Sequence, residues 1–240
     1  MVAPYYNILR IILDYKGAFM IKAILFDLDG TLIDSSEGII NCVLYALDKF
    51  GIEEKDTDRL RKFIGPPLIE SFKKYYGFSQ EDARVAVDTY RQRYHPTGIY
   101  ECSLYDGVRE CIEVLKQKGY RIGMASSKPE VSCRRILEHF GIIDLFDDVV
   151  GATLDGKIDT KEQVLHEVFR RWSDLSVDEM CLIGDTMFDV DGANKVGMPC
   201  LCVSYGFGDT RQMLDAGAVG ICDSMAELPD MIERCFESEQ

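Results

Sequence analysis

The chain has 240 residues, 47% of them hydrophobic and 28% charged, which is the composition of an ordinary globular protein long enough to bury a sizeable core. Its 27 basic and 41 acidic side chains give a formal net charge of −14, and such a surface repels nucleic acid and anionic lipid. We therefore expect neither nucleic acid nor a membrane as a partner, and an anionic ligand would need positive groups gathered locally.

Nine cysteines, an odd number without a Cys-x-x-Cys pair, lie mostly among apolar neighbours. This pattern is typical of reduced thiols in a cytoplasmic protein, and Cys200 and Cys202 are interpreted as strand residues rather than metal ligands. No apolar run approaches the length of a membrane span. Residues 1–19 make a poor signal peptide, so we expect an upstream start or an appended helix of unclear role there. The sequence is compatible with a monomer or a homodimer.

The first predicted strand ends in two acids. Ile21 and residues 23–26 form a short apolar run, typical of a parallel strand that is covered on both faces. Asp27 and Asp29 follow two residues apart, so in extended geometry their side chains point the same way. Repulsion between two such carboxylates favours a divalent cation, and oxygen ligands suit Mg²⁺. Gly30 frees the backbone to turn, and Thr31 offers a hydroxyl and an amide to an anion. The alternative is that both acids are merely turn residues.

Helical spacing replaces the strand pattern over residues 35–102, which predicts a helical block inserted after the first strand. We expect this block to be a cap domain and residues 20–34 and 103–240 to form the core domain. Between two predicted helices, Gly65, Pro66 and Pro67 form a stiff loop. The loop is either a plain connection or a substrate-specificity loop that contacts the ligand.

Strands and helices then alternate to the end of the chain. The predicted strands are 120–125, 148–150, 180–183, 201–203 and 219–221, and the predicted helices are 106–118, 129–140, 160–172, 187–196 and about 225–236. This alternation predicts an α/β fold with a doubly wound parallel sheet between two layers of helices. Ligands of such sheets bind at the edge formed by the carboxyl ends of the strands.

Two other predicted strands also end in polar residues. Ser126 and Ser127 follow the strand 120–125 directly before a predicted helix, and a hydroxyl beside a helix N-terminus suits phosphate, although a simple serine cap is the alternative. Asp185 and Asp189 follow the strand 180–183 and form a second acidic pair. Four clustered carboxylates without a cation would be costly.

A lysine begins the predicted helix 160–172. Lys161 stands at its N-terminus, where its charge opposes the helix dipole, so a nearby anion would explain the position. Lys157 and Lys128 are competing candidates for contact with such an anion, and each of the three could instead be a solvated surface lysine.

With these four segments in order, the chain resembles the haloacid dehalogenase-like superfamily of aspartate-nucleophile phosphatases. The resemblance is to the phosphoglycolate phosphatase-like branch, which has a Rossmann-like core and a helical C1-type cap. It covers about residues 20–236: residues 27–31 match the first motif, Ser126 the second, Lys161 the third and residues 184–189 the fourth.

The resemblance implies a role for each matching residue. Asp27 would be the nucleophile that forms an aspartyl-phosphate, and Asp29 would protonate the leaving oxygen and then activate water. Mg²⁺ would be held by Asp27, the backbone carbonyl of Asp29 and Asp185, with Asp189 in support. The phosphoryl oxygens would be bound by Ser126, Ser127, Lys161, Thr31 and Gly30.

The chain departs from the family pattern at two places. Ser127 stands where relatives often have asparagine, which weakens any inference about the substrate drawn from that position. The segment 155–161 lacks the Lys-Pro pair of many relatives, which leaves Lys157 open as an alternative to Lys161.

The function implied is a Mg²⁺-dependent phosphatase acting on a small phosphorylated metabolite, such as phosphoglycolate or a nucleoside monophosphate. A phosphomutase of the β-phosphoglucomutase type and a catalytically idle regulatory binding protein on the same fold are the alternatives. The presence of Asp29 disfavours a dehalogenase, because that branch lacks the second acid.

Overall fold

The computed structural model describes residues 20–236, so the prediction for residues 1–19 lies outside the described part of the chain. The chain divides into two compact units, one formed by residues 33–103 and the other by the segments on either side of them. Within residues 20–236, no helix has both the length and the apolar character needed to cross a membrane.

The larger unit is built on a six-stranded sheet in which every strand pairing is parallel. In chain order the strands are β1 (Ala23–Phe26), β2 (Ile33–Asp34), β3 (Ser103–Leu104), β4 (Arg121–Pro129), β5 (Asp148–Ala152), β6 (Met180–Gly184), β7 (Cys200–Val203) and β8 (Gly220–Cys222). The large sheet has the order β5-β4-β1-β6-β7-β8, and β2 pairs with β3 in a two-stranded sheet. The predicted α/β fold with a parallel sheet is confirmed.

The central strand β1 explains where the polar residues emerge. All four of its residues are buried, and a strand covered on both faces needs apolar side chains at every position. Phe26 pairs in register with Met124 of β4 and with Ile183 of β6. The residues that follow these three positions therefore lie at the same edge of the sheet.

The described α-helices fall into the two units. Residues 33–103 hold α1 (Ser36–Asp48), α2 (Thr57–Arg61), α3 (Leu68–Tyr76) and α4 (Gln80–Tyr94). The larger unit holds α5 (Val108–Gln117), α6 (Glu130–His139), α7 (Lys161–Arg171), α8 (Met187–Val196), α9 (Thr210–Asp215) and α10 (Leu228–Phe236).

Local signals explain the helix boundaries in the smaller unit. The Asp56 carboxylate accepts hydrogen bonds from two backbone N–H groups at the start of α2, and the Ser79 hydroxyl accepts one at the start of α4. Phe63 and Phe72 pack edge to face with their ring centroids 4.9 Å apart. Both side chains are buried, so aromatic residues contribute to the core of the smaller unit.

In the larger unit, β4 and α9 show where the sequence pattern and the structure differ. β4 continues to Pro129, with an irregular register between Ser126 and Pro129, where the sequence pattern predicted a turn and a helix. The pairing of β4 with β5, which no local pattern reports, keeps the segment extended. The six-residue helix α9 was not predicted because it is too short to show periodicity, although Asp209 caps it by accepting from the Gln212 N–H.

Trp172, the chain's single tryptophan, packs on the face of the sheet and offers a test of the core. Its side chain is 2% exposed, and a Cβ at Gly123 would lie only 2.6 Å from its ring. The Arg121 guanidinium lies 3.9 Å from the ring centroid. We expect Trp172→Ala to lower the free energy of unfolding by about 3–5 kcal/mol, because it leaves a large cavity. Urea unfolding followed by far-UV circular dichroism measures this, with Trp172→Phe expected to lose less. Equal midpoints for Trp172→Ala and wild type would contradict it.

Candidate active site

Lys161 lies at the centre of the charged groups at the sheet edge. It is the first residue of α7 and only 7% exposed, and its ammonium donates to the Ala125 carbonyl at 2.7 Å. Its Nζ also lies 2.8 Å from Oδ1 of Asp27 and 2.9 Å from Oδ1 of Asp189. Burial disfavours the ammonium, but the two carboxylates outweigh it and hold the pKa of Lys161 above its usual value. These anions explain why a lysine occupies a helix N-terminus.

Backbone features give Lys161 its room and its direction. Thr160 caps α7 through a capping box with Gln163, which fixes the start of the helix. Gly192 of α8 faces the lysine stem, and a Cβ there would lie 2.6 Å from Cγ of Lys161. A larger residue at 192 would therefore displace the lysine from the two carboxylates.

Three carboxylates form a set of oxygen donors that fits a divalent cation. Asp27, Asp185 and Asp189 each offer one oxygen, and these oxygens lie within 4.8 Å of one another. Burial, followed by the charge of Asp189, raises the pKa of Asp185 to about 8. Burial also raises the pKa of Asp27, and the carboxylates of Asp189 and Asp29 add to this against the pull of Lys161. A bound cation would relieve this repulsion, and hard oxygen ligands suit Mg²⁺.

Asp189 is held by the turn that precedes α8. Its Oδ2 accepts hydrogen bonds from the N–H groups of Asp185 and Thr186, at 3.3 and 3.1 Å, and from the Thr186 hydroxyl at 2.8 Å. Its other oxygen contacts Lys161. Gly184 permits this close approach, since a Cβ there would lie 2.4 Å from Cβ of Asp189. The carboxylate is therefore fixed in orientation on both sides.

A loop that the sequence analysis did not identify surrounds Asp185. It follows β7, and its Phe207 N–H donates to Oδ2 of Asp185 at 2.8 Å. Cβ atoms at Gly206 and Gly208 would lie 2.4 and 2.1 Å from atoms of Asp185, so glycine is needed at both positions. The Tyr205 hydroxyl donates to the Thr31 carbonyl at 2.9 Å. The available signal was a Gly-x-Gly segment that begins at Gly206, shortly after the parallel strand β7 ends at Val203, at the edge where the other motifs lie.

Asp29 has a partner of its own. Both oxygens of its carboxylate lie 2.8 Å from the ammonium of Lys128, whose side chain is 9% exposed. The Asp29 carboxylate does not belong to the three-carboxylate set of Asp27, Asp185 and Asp189. The two acids of the first motif are therefore paired with two different lysines.

The other predicted phosphate-binding residues occupy varied environments. Ser126 is 2% exposed and its hydroxyl accepts from the Lys128 N–H at 3.3 Å, whereas Ser127 is exposed. The Thr31 N–H donates to the Leu28 carbonyl, and its hydroxyl donates to Oδ1 of Asp185 at 3.4 Å. Both Thr31 donors thus bind groups of the protein, and the phosphate-binding roles of these residues stay predictions.

Gly30 is required by the turn after Asp29. Its φ is +81°, and a Cβ would lie 2.0 Å from Oδ2 of Asp185. The first and fourth motifs therefore approach each other at a position where only glycine fits.

Two remaining predictions fall away from this cluster or outside its unit. Lys157 is 83% exposed and pairs with Asp155 at 2.8 Å, whereas Lys161 lies among the acids. The loop residues Gly65, Pro66 and Pro67 lie between α2 and α3 in the smaller unit; Gly65 and Pro67 are exposed, and Gly65 has a φ of +97°. The specificity role of this loop stays a prediction.

Known proteins are similar to this chain in sequence and in fold. Residues 24–203 match the family model described as haloacid dehalogenase-like hydrolase. A 5′-nucleotidase of Pseudomonas aeruginosa is 40% identical over 210 residues, which are 88% of this chain and 95% of the relative. A crystal structure of a predicted phosphatase from Clostridium acetobutylicum has a TM-score of 0.83 and 43% identity, and covers 89% of this chain and 98% of its own.

Other relatives carry different names. The tyrosine-protein kinase PtkA of Mycobacterium tuberculosis is 37% identical over 188 residues, which are 78% of this chain but only 63% of the relative. A phosphoglycolate phosphatase of Nitrosospira multiformis is 28% identical over 89% of this chain and 96% of its own. The resemblance drawn from the four motifs is confirmed: the chain belongs to the haloacid dehalogenase-like hydrolase family and is a phosphatase.

Proposed function

We propose that the protein is a Mg²⁺-dependent phosphatase that hydrolyses a small phosphorylated metabolite through an aspartyl-phosphate on Asp27. The observation that supports it best is the position of Asp27, beside the buried ammonium of Lys161 and within 4.8 Å of donor oxygens of Asp185 and Asp189. The backbone at this point is fixed, because the Asp27 N–H donates to the Ile183 carbonyl at 2.9 Å. The proposed nucleophile, an ammonium group and the proposed metal-ligand oxygens therefore lie together beside the carboxyl end of β1.

The reaction has two steps with balanced proton transfers. An oxygen of Asp27 attacks phosphorus, and the bond to the leaving oxygen breaks as Asp29 gives that oxygen a proton. Asp29, now ionised, takes a proton from a water molecule while the oxygen of that water attacks the phosphorus of the aspartyl-phosphate. Phosphate leaves and the Asp27 carboxylate is restored.

Charge stabilisation comes from the groups around Asp27. Lys161 and Ser126 are proposed to bind the phosphoryl oxygens, where the ammonium and hydroxyl would stabilise the charge of the transition state. Asp27, Asp185 and the carbonyl of Asp29, supported by Asp189, are the proposed Mg²⁺ ligands. When bound there, Mg²⁺ would supply positive charge that reduces the repulsion between the Asp27 carboxylate and an anionic phosphate.

The substrate class is tested by a panel of phosphorylated metabolites. The 5′-nucleotidase and phosphoglycolate phosphatase relatives make nucleoside 5′-monophosphates and phosphoglycolate the first candidates. We expect at least one member of the panel to release inorganic phosphate in the presence of Mg²⁺. This release should stop when EDTA is added and resume when Mg²⁺ is restored. Full activity in EDTA would contradict the metal requirement.

Alanine at Pro66 and Pro67 is expected to change the relative rates across the panel. Unchanged relative rates would contradict the proposed role of the loop.

The same assay separates the alternatives. A phosphomutase would pass the phosphoryl group to a sugar phosphate rather than to water, so free phosphate would not accumulate. The relative named as a tyrosine kinase makes it useful to include a tyrosine peptide with ATP. An idle binding protein would release nothing even from 4-nitrophenyl phosphate with Mg²⁺.

The two candidate lysines of the third motif are separated by a pair of matched variants. We expect Lys161→Met to lower kcat by about 10²–10³-fold, because it removes a cation from the place where charge develops. Lys157→Met removes an exposed lysine that pairs with Asp155, and its activity is expected to equal that of wild type. The thermal midpoint of both proteins is measured alongside. Loss with Lys157→Met and retention with Lys161→Met would reverse the assignment.

A further inference from the structure

We propose that Lys128 is a positioning residue that holds the carboxylate of Asp29 in its working orientation. The inference rests on the proposed function, in which Asp29 carries the proton. Lys128 Nζ lies 2.8 Å from each oxygen of Asp29, so the ammonium binds the two oxygens of the carboxylate equally. The lysine is largely buried while Asp29 is 23% exposed, so the buried partner sets the geometry.

The backbone of β4 is shaped to aim this lysine. The register of β4 against β5 shifts between Ser126 and Pro129, and such irregularities near active sites redirect a side chain. The Lys128 N–H donates to Oγ of Ser126 at 3.3 Å, and its carbonyl accepts from Sγ of Cys133 at 3.6 Å. A Cβ at Gly151 would lie 2.7 Å from that carbonyl. The segment is therefore held by contacts at its N–H and at its carbonyl.

The two acids of the first motif have different lysine partners, which separates their roles. Lys161 contacts Asp27 and Asp189, while Lys128 contacts both oxygens of Asp29. Asp29 lies two residues from Asp27, and the two carboxylates repel each other. Without Lys128, the Asp29 carboxylate would be free to rotate toward solvent. A misplaced proton carrier slows chemistry without weakening substrate binding, and a misplacement of about 1 Å costs about 10²-fold in rate.

A double-mutant cycle tests this with 4-nitrophenyl phosphate, whose leaving group departs readily enough for the slowest variant to be measured. The four proteins are wild type, Lys128→Met, Asp29→Asn and the double variant, all with Mg²⁺. We expect Lys128→Met to lower kcat by about 10²-fold with KM unchanged. In the Asp29→Asn background it should cause no further loss, because a residue that acts through another has no effect once that residue is gone.

Further variants test whether the loss of activity is specific to Lys128, whether it depends on the positive charge, and whether the variant is folded. Lys195→Met removes an exposed lysine that lies 3.4 Å from Glu162, and its kcat is expected to equal that of wild type. Lys128→Arg should recover part of the lost rate by keeping a cation beside Asp29. Lys128→Gln replaces Lys128→Met in the cycle if circular dichroism shows that the methionine variant is not folded.

Two outcomes overturn the inference in distinguishable ways. Losses from Lys128→Met and Asp29→Asn that multiply, with a raised KM for Lys128→Met, would show that Lys128 binds the phosphate itself. Wild-type activity of Asp29→Asn would overturn the proposed role of Asp29, and with it the reason for positioning that residue.

Discussion

Asp27→Asn is expected to abolish phosphate release from every substrate, including 4-nitrophenyl phosphate. The amide oxygen is a poor nucleophile, so no aspartyl-phosphate forms, and one ligand of the proposed metal set is also lost. Removal of the catalytic nucleophile lowers kcat by about 10⁶-fold in a serine protease, so the activity of the variant should fall to the background rate. The measurement is inorganic phosphate release under saturating substrate with Mg²⁺.

The loss will not come from unfolding. Burial is the largest cause of the raised pKa of Asp27, which means that the folded protein disfavours the charged carboxylate. A neutral asparagine of the same shape avoids that cost, although Lys161 then loses Asp27 and keeps Asp189 of its two carboxylate partners within residues 20–236. We expect the metal-free variant to have a thermal midpoint no lower than that of the wild type.

A matched substitution on the surface completes the experiment. Asp191 is an exposed residue of α8, and Asp191→Asn makes the same chemical change outside the charged cluster. Its activity should equal that of the wild type. Undiminished turnover by Asp27→Asn, with Asp191→Asn as the reference, would contradict the nucleophilic mechanism.

The parts of the site that the sequence predicted are those with a local signal. The apolar run of β1 locates Asp27 and Asp29, and the strand before Asp185 locates the fourth motif, because each strand is short, buried and followed by an abrupt polar segment. The edge rule for parallel sheets then brings these ends together without any knowledge of strand order. Lys161 was predictable from its unfavourable place at a helix N-terminus.

The parts that could not be predicted depend on contacts between distant segments. Phe207 donates to Asp185 from 22 residues away, and Lys128 reaches Asp29 from 99 residues away. Neither contact leaves a periodic trace in the sequence. The Thr31 hydroxyl donates to Asp185 and the Thr31 N–H donates to the Leu28 carbonyl, and the sequence pattern reports neither contact. Such pairings are set by packing geometry, which local pattern does not report.

The balance of charge in the site favours a further cation besides the two lysines. The cluster contains four carboxylates and two ammonium groups, so with all groups ionised it carries two net negative charges. On a chain whose net charge is already −14, a phosphate monoester would be repelled. With all four acids ionised, one divalent cation would bring the cluster to zero net charge, which supports the proposed Mg²⁺ requirement alongside the donor oxygens.

Asp185 therefore carries a stability cost in the metal-free protein. Its pKa is about 8 in the folded state against an ordinary 3.8, because it is buried beside Asp189 and Asp27. Between pH of about 4 and 8 the folded protein holds a proton that the unfolded chain has released, so the stability of the metal-free protein falls as pH rises through this range. Above the folded pKa the full cost of the buried carboxylate is present.

Asp185→Asn is accordingly expected to change two measurements in opposite directions. In EDTA the variant should be more stable than wild type at pH 8, with a flatter dependence on pH, since asparagine does not ionise and its amide oxygen can still accept from the Phe207 N–H. With Mg²⁺ the wild type should gain stability while the variant gains little, because its affinity for the ion falls by at least about 10²-fold. Thermal midpoints from pH 5 to 8, in EDTA and in Mg²⁺, measure both effects, with Asp191→Asn as the control. A variant that is destabilised in EDTA, yet stabilised by Mg²⁺ as much as wild type, would show that Asp185 is a structural acid rather than a metal ligand.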